Sequence, residues 1–262
     1  MYNIYFIAKH LALFYLSIFY NLFVKPTKNK NLILLFHAIQ NNQSDQDKNL
    51  INLSEKKFKK IIQLIHKYKL KTELIKNYNS ATNNTIFLTF DDGYKDFRTI
   101  VLPLLIKYKL KATLFVCPGE LIDKKHYFPY PMLNLDDILY LSKFNFIEIG
   151  LHHYYHENIS LKSTKELEYL IKKSLNFFDK YNIKIQSFSY PYGIPNKNIE
   201  SIFKKYGIKF AVTGFLDYAN VSNVPNFELP RQEINFYSTI SEIRCILKFK
   251  FISFQKIKKL FH

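Results

Sequence analysis

Short apolar runs alternate with helix-like stretches about seven times along this chain, and that rhythm limits the fold more than any other feature. The runs NLILLF, TIFLTF, KATLFV, FNFIEIG, IQSFSY and IKFAVT, with FELPR as a weaker seventh, have the length and the β-branched and aromatic content of buried strands. Between them, Phe58, Ile61, Ile62 and Ile65 recur at helical spacing after Ser54, and comparable patterns cover 103–108, 136–141, 163–181 and 196–206. Strand followed by helix, repeated, requires parallel strands joined by crossovers. The expectation is an α/β fold, a distorted (β/α) barrel of about seven parallel strands, with an apolar N-terminal helix. The boundaries expected are an apolar and basic segment over 1–32, the barrel over 33–240, and a basic amphipathic tail over 241–262. A chain of 262 residues, 48% hydrophobic, can bury one core of that size.

The formal charge of +17 invites an anionic partner. Lysine supplies nearly all of it, since the only arginines are Arg98, Arg231 and Arg244, whereas sequence-reading nucleic-acid proteins favour arginine for bidentate contacts. No nucleic-acid partner is therefore expected. Cys117 and Cys245 make neither a disulfide framework nor a metal spacing. The apolar run over 11–24 is shorter than the roughly 20 residues of a membrane span and is interrupted by Asn21. A helix lying on an anionic membrane, followed by the basic KPTKNK, fits it better than a secretory signal, and a helix packed on the core is the other reading. Peripheral membrane association is expected, on a side the sequence does not fix; a cytoplasmic location is compatible.

Strand ends in such barrels collect chemistry. TIFLTF ends on Asp91 and Asp92, followed by Gly93. Two adjacent carboxylates leaving a buried strand need a cation or a proton nearby, unless they form a solvated turn. FNFIEIG is followed by His152, His153 and His156, in which either 152 and 156 or 153 and 156 can converge within one turn as imidazole ligands. IQSFSY is followed by Pro191, Tyr192 and Gly193, a tight turn able to aim a backbone N–H and an aromatic wall at a ligand.

In this order the three stretches resemble the motifs of the polysaccharide deacetylase family, carbohydrate esterase family four, whose domain is called the NodB-homology domain. Thr89 to Gly93 matches TFDDG, His152 to His156 matches H-[ST]-x-x-H except at His153, and Ser189 to Gly193 stands for R-x-P-[FY]-G. The resemblance spans about 33–235. It implies that Asp92, His152 and His156 hold a divalent metal, commonly Zn2+, that Asp91 is the general base, and that Tyr192 supplies an oxyanion-binding N–H beside Pro191 in the substrate site. It also implies hydrolysis of the N-acetyl group of a sugar in a polysaccharide or lipid-linked glycan, with release of acetate.

The departures are informative. Ser189 replaces the family's motif arginine, and the LPR at 229–231 resembles a feature of a subgroup lacking that arginine, so Arg231 is the candidate replacement. The chain has no tryptophan for the family's D-x-W motif, and its only late L-x-H is Leu260 to His262. His37, ending the first strand, is the candidate general acid. These losses keep open a sugar-binding or scaffolding relative with weak catalysis, and the basic apolar ends keep open a membrane-surface structural protein.

Overall fold

A computed structural model describes residues 15, 23, 25, 30–41, 51–123, 128–214, 219–220 and 225–250. Most of the expected N-terminal helix, and 251–262 with the late L-x-H, lie outside the described residues.

Six parallel strands follow one another in sheet order as in sequence: β1 (Lys30–Phe36), β2 (Ile86–Phe90), β3 (Ala112–Val116), β4 (Ile147–Leu151), β5 (Ser187–Ser189) and β6 (Phe210–Val212). A short β7 (Ala219–Asn220) lies antiparallel on β1. The seventh parallel strand, β8 (Gln232–Glu233), pairs with the free side of β1 through Leu34 and Leu35. Just upstream, Leu229 forms a parallel bridge with Val212 of β6. Residues 229–233 thus join both edges of the sheet, which gives the expected seven-stranded distorted barrel. The seventh strand was expected at FELPR; it makes only a single bridge there and forms its ladder to β1 immediately afterwards.

Alternation along the strands divides the core in two. Leu32, Leu34, Phe36, Leu88, Phe90, Leu114, Ile149 and Leu151 belong to the outer core shared with the helices. Ile33, Phe87, Phe115, Phe210, Val212 and Leu229 point the other way, into the barrel. There they meet Ile75 and Tyr78 of the 3-10 turn Ile75–Ser80, which plugs the amino ends of the strands. Glu148 is also buried inside, accepting from Thr113 Oγ1 (2.9 Å), Ser187 Oγ (2.8 Å) and the Lys76 N–H (3.0 Å).

The helices begin where short polar side chains can cap them. Ser54 accepts from Lys57 N at the start of α1 (Glu55–Lys67). After α2 (Leu102–Tyr108) and α3 (Pro118–Asp123), Asn134 and Asp137 form a reciprocal capping box on α4 (Leu135–Leu141), and Ser163 caps α5 (Thr164–Asp179). α6 (Ile199–Tyr206) ends at left-handed Gly207. α7 (Ile240–Leu247) corrects the expected tail boundary. Ile243, Cys245, Ile246, Leu247 and Phe249 are buried in the outer core, so the barrel extends through residue 249. An amphipathic pattern is satisfied equally by a membrane and by a neighbouring helix, and here α1 is that neighbour.

One glycine records how closely the barrel interior is packed. A Cβ at Gly150 would lie 2.5 Å from two Phe115 ring carbons and 2.8 Å from Ser187 Oγ. Gly150→Ala is expected to destabilise the protein by about 1–3 kcal/mol through overpacking, measured by urea denaturation; an unchanged midpoint would mean that Phe115 has room to move.

Candidate metal centre and its base

The first carboxylates arise where β2 stops being a strand. Asp91 still donates its N–H to Phe36 O of β1 (3.0 Å) and keeps the strand alternation, so its side chain enters the barrel with Thr89. Asp92 has φ 71° and Gly93 φ 89°, both left-handed, and this break turns the second carboxylate away from the first. The turn is pinned from outside: Leu133 N donates to Gly93 O (2.9 Å) and Lys95 N to Pro131 O (2.8 Å). The buried Asp137 carboxylate pairs with both Lys95 and Arg98.

Asp91 is buried in a fully made network. Arg231 Nη1 and Nη2 donate to its two oxygens at 2.8 Å each, and Ser189 Oγ donates to Oδ2 at 2.9 Å. Arg231, 1% exposed, also donates from Nε to Thr213 O (2.8 Å), from Nη1 to Thr89 Oγ1 (3.3 Å) and from Nη2 to Ser189 Oγ (2.9 Å). Burial pushes the Asp91 carboxyl up most strongly, yet the Arg231 guanidinium, through its charge and its hydrogen bonds, holds it below the usual carboxylate range. A buried carboxylate that stays ionised is the chemical result.

Asp92 faces a different set. Its Oδ1 is 3.4 Å from His152 Nε2 and 3.4 Å from His156 Nε2, and that oxygen is buried without a hydrogen-bond partner. Two donors bound tetrahedrally at about 2.1 Å to one divalent cation stand roughly 3.4 Å apart. The spacing and the orphaned oxygen therefore fit a cation between these three groups, and among the described residues they are the one cluster of three ligating side chains. His152 Nδ1 lies 2.9 Å from the Ser189 carbonyl, which fixes a tautomer with Nε2 free to ligate. Burial lowers the His156 imidazole below its ordinary range and so favours its neutral, ligating form.

The structure separates the two histidine pairs left open by the spacing. His153 has φ 65° and turns away, with Nδ1 3.2 Å from Tyr155 O, and burial drives its imidazole down to about 4. His152 and His156 are the converging pair. His37 sits at the end of β1, half-buried, with Nδ1 unpartnered. Pro191 is buried and opens the 3-10 turn Pro191–Gly193. Tyr192 is left-handed (φ 58°) and 62% exposed, with its ring 4.9 Å from that of His156; Phe128 approaches the same imidazole at 5.9 Å.

Sequence reasoning missed two contributors. Ser189, which marks the family arginine's absence, joins Asp91, Arg231 and His152 through its hydroxyl and its carbonyl. Glu120 Oε1 accepts the His156 N–H (3.3 Å), and nothing in the sequence marked it.

The family model described as polysaccharide deacetylase matches residues 78–211. Poly-beta-1,6-N-acetyl-D-glucosamine N-deacetylase of Staphylococcus aureus is 23% identical over 233 residues, covering 79% of this chain and 80% of its own. Among solved structures, a polysaccharide deacetylase from Bacillus cereus superposes with TM-score 0.72 at 18% identity, over 84% of this chain and 69% of that one. The Streptococcus pyogenes deacetylase PplD, solved with acetate, gives 0.69 at 23% identity, over 80% of this chain and 94% of that one. At these identities the structural likenesses are likenesses of fold.

Histidine variants test the ligand set. His152→Ala or His156→Ala is expected to abolish stoichiometric metal uptake, measured by elemental analysis of folded protein. His153→Ala should retain the metal, and a loss from that variant equal to the others would reassign the ligand.

Proposed function

Because the chain belongs to the polysaccharide deacetylase family, we propose that it removes the N-acetyl group from an amino sugar within a glycan, using a divalent metal, most simply Zn2+, held by Asp92, His152 and His156. The observation that carries this reading is the division of labour between neighbouring aspartates: Asp92 completes a ligand triad, while Arg231 and Ser189 hold Asp91 apart from it. One carboxylate and two imidazoles are a donor set that suits zinc and leaves it positively charged.

A cation bound there supplies Lewis acidity, making a water easier to deprotonate and the acetyl carbonyl more electrophilic. Asp91 takes the water's proton as its oxygen adds to the acetyl carbon. Arg231 is a positioning residue: its fork fixes both Asp91 oxygens and keeps the carboxylate ionised. The Tyr192 backbone N–H donates to the oxyanion that develops on the former carbonyl oxygen. Collapse breaks the C–N bond, the sugar nitrogen receives a proton from His37, and acetate and free amine leave. The exposed Tyr192 ring, beside His156, offers an apolar face for a sugar ring. The likeness to the staphylococcal N-deacetylase supports an N-acetylhexosamine in a polymer as the substrate class.

Asp91→Asn should keep the bound metal while acetate release from an N-acetylglucosamine oligomer falls roughly a hundredfold or more, since the amide copies the shape but accepts no proton. Near-normal turnover would remove Asp91 as the base, and metal binding without acetate release by the unaltered protein would favour a sugar-binding role.

The apolar 1–24 segment and the +17 charge support peripheral attachment to an anionic membrane, where a membrane-bound glycan would be the substrate. No helix among the described residues is long and apolar enough to cross a membrane. Deleting 1–24 should reduce sedimentation with anionic vesicles several-fold while leaving activity on soluble oligomers intact. Unchanged sedimentation would show that this segment is no anchor.

A further inference from the structure

The pentapeptide Lys-Tyr-Lys-Leu-Lys occurs twice, at 67–71 and 107–111. Each copy closes a helix in the same way. After α1, Lys69 (φ 53°) donates its N–H to His66 O and Leu70 donates to Ile65 O; after α2, Lys109 (φ 53°) donates to Ile106 O and Leu110 to Leu105 O. This left-handed position favours glycine, and α6 has Gly207 there. Both copies carry lysine instead, despite the strain a side chain meets in that conformation. The two helix ends are neighbours: the His66 and Tyr108 rings are 5.3 Å apart, and Lys111 N donates to Thr72 Oγ1 at 2.8 Å.

Between them lies a recess of about 620 Å³ into which the two copies bring Lys69, Lys71, Lys109 and Lys111. One acid lines it, Glu73, and its oxygens are occupied: Oε2 accepts from Lys111 Nζ (2.7 Å), Oε1 from Leu74 N and Asn77 Nδ2 (3.0 Å each). Lys69, Lys71 and Lys109 have no acidic partner among the described residues. One basic residue per helix end answers the helix dipole; gathering these around one concavity, with Lys69, Lys71 and Lys109 exposed, concentrates positive charge that an anion can neutralise. The recess also includes Thr85, just before β2, and Lys111, just before β3, so it opens at the amino ends of the strands, opposite Asp92 and the histidines. The chain enters β1 at that same end, where Asn84 N donates to Lys30 O (2.9 Å).

We propose that this lysine recess binds a phosphoryl group, carried either by an anionic lipid headgroup or by a soluble phosphate. Three uncompensated ammonium groups suit a compact dianion, and lysine serves phosphate as a point charge with three donors. This inference stands independently of the deacetylase reading.

The test is calorimetric titration of the full chain with inorganic phosphate at constant ionic strength. Unaltered protein, Lys69→Ala/Lys109→Ala and the control Lys165→Ala/Lys172→Ala are compared, with His152→Ala included to remove phosphate held at the metal centre. Saturable binding is expected in all but the recess variant, whose affinity falls about tenfold or more with two charge-assisted hydrogen bonds lost. A parallel loss of binding to phosphatidylglycerol vesicles by the recess variant, beyond that of the control, identifies a lipid headgroup as the source; unchanged vesicle binding identifies a soluble phosphate. Absence of saturable phosphate binding, its disappearance in His152→Ala alone, or equal losses in the recess and control variants would overturn the proposal.

Discussion

The buried pair between Arg231 and Asp91 is the interaction on which the rest of the structure depends. Taking both charges out of water costs several kcal/mol per ion, and the cost is recovered only when every donor and lone pair is used. Arg231 meets that condition. Its fork engages both Asp91 oxygens, and the remaining donors reach Thr89, Ser189 and Thr213, so one side chain links β2, β5, the end of β6 and the segment leading into β8. The same contacts that hold the Asp91 carboxylate in place also hold the segment that joins the sheet's edges. Losing either partner would leave a bare charge in the barrel, which couples closure of the fold to ionisation of Asp91.

Backbone strain also falls at the same rim. Asp92, His153 and Tyr192 are left-handed non-glycine residues, and each lies in or beside one of the three strand-end motifs. The strain has a geometric purpose in each case. At Asp92 it breaks the strand alternation, so that adjacent carboxylates face different partners. At His153 it turns a middle imidazole out of the site and lets His152 and His156 meet. At Tyr192 it places an exposed aromatic ring against His156. Dense hydrogen bonding underneath, from Ser189 and from the pinned segment 131–137, is what can hold such conformations.

The legible parts of this chain are those where chemistry overrides local preference. Charged residues directly after apolar runs have few structural excuses, so Asp91, Asp92, His152 and His156 were readable, and Arg231 stood out because arginine is scarce. Ser189 was visible only as an absence: a serine reads as neutral until the arginine it accommodates is known to come from another strand end. The seventh strand was misplaced by a few residues because its pairing is settled by β1, some two hundred residues earlier, and not by its own composition. The helix at 240–247 was read as a tail because an apolar stripe beside lysines carries no mark of what covers it. The repeated pentapeptide passed unnoticed for a similar reason, since six lysines in a lysine-rich chain look like solvated surface until two helix ends bring four of them to one recess.

The two ends of the barrel then set a condition on the substrate. The strands β1 to β4, of five to seven residues at about 3.3 Å per residue, separate the ends by roughly 20 Å. If the amino end rests on an anionic membrane, through the lysine recess and the segment that precedes Lys30, the metal centre opens away from the surface at about that height. The first sugar on a lipid carrier lies too close to the headgroups to reach it, whereas residues several sugars along a growing chain extend far enough. Were the barrel held by that end, the position of its charge would favour an elongated glycan over a lipid-linked monosaccharide, an argument that rests on where the lysines lie and not on the chemistry of the candidate metal centre.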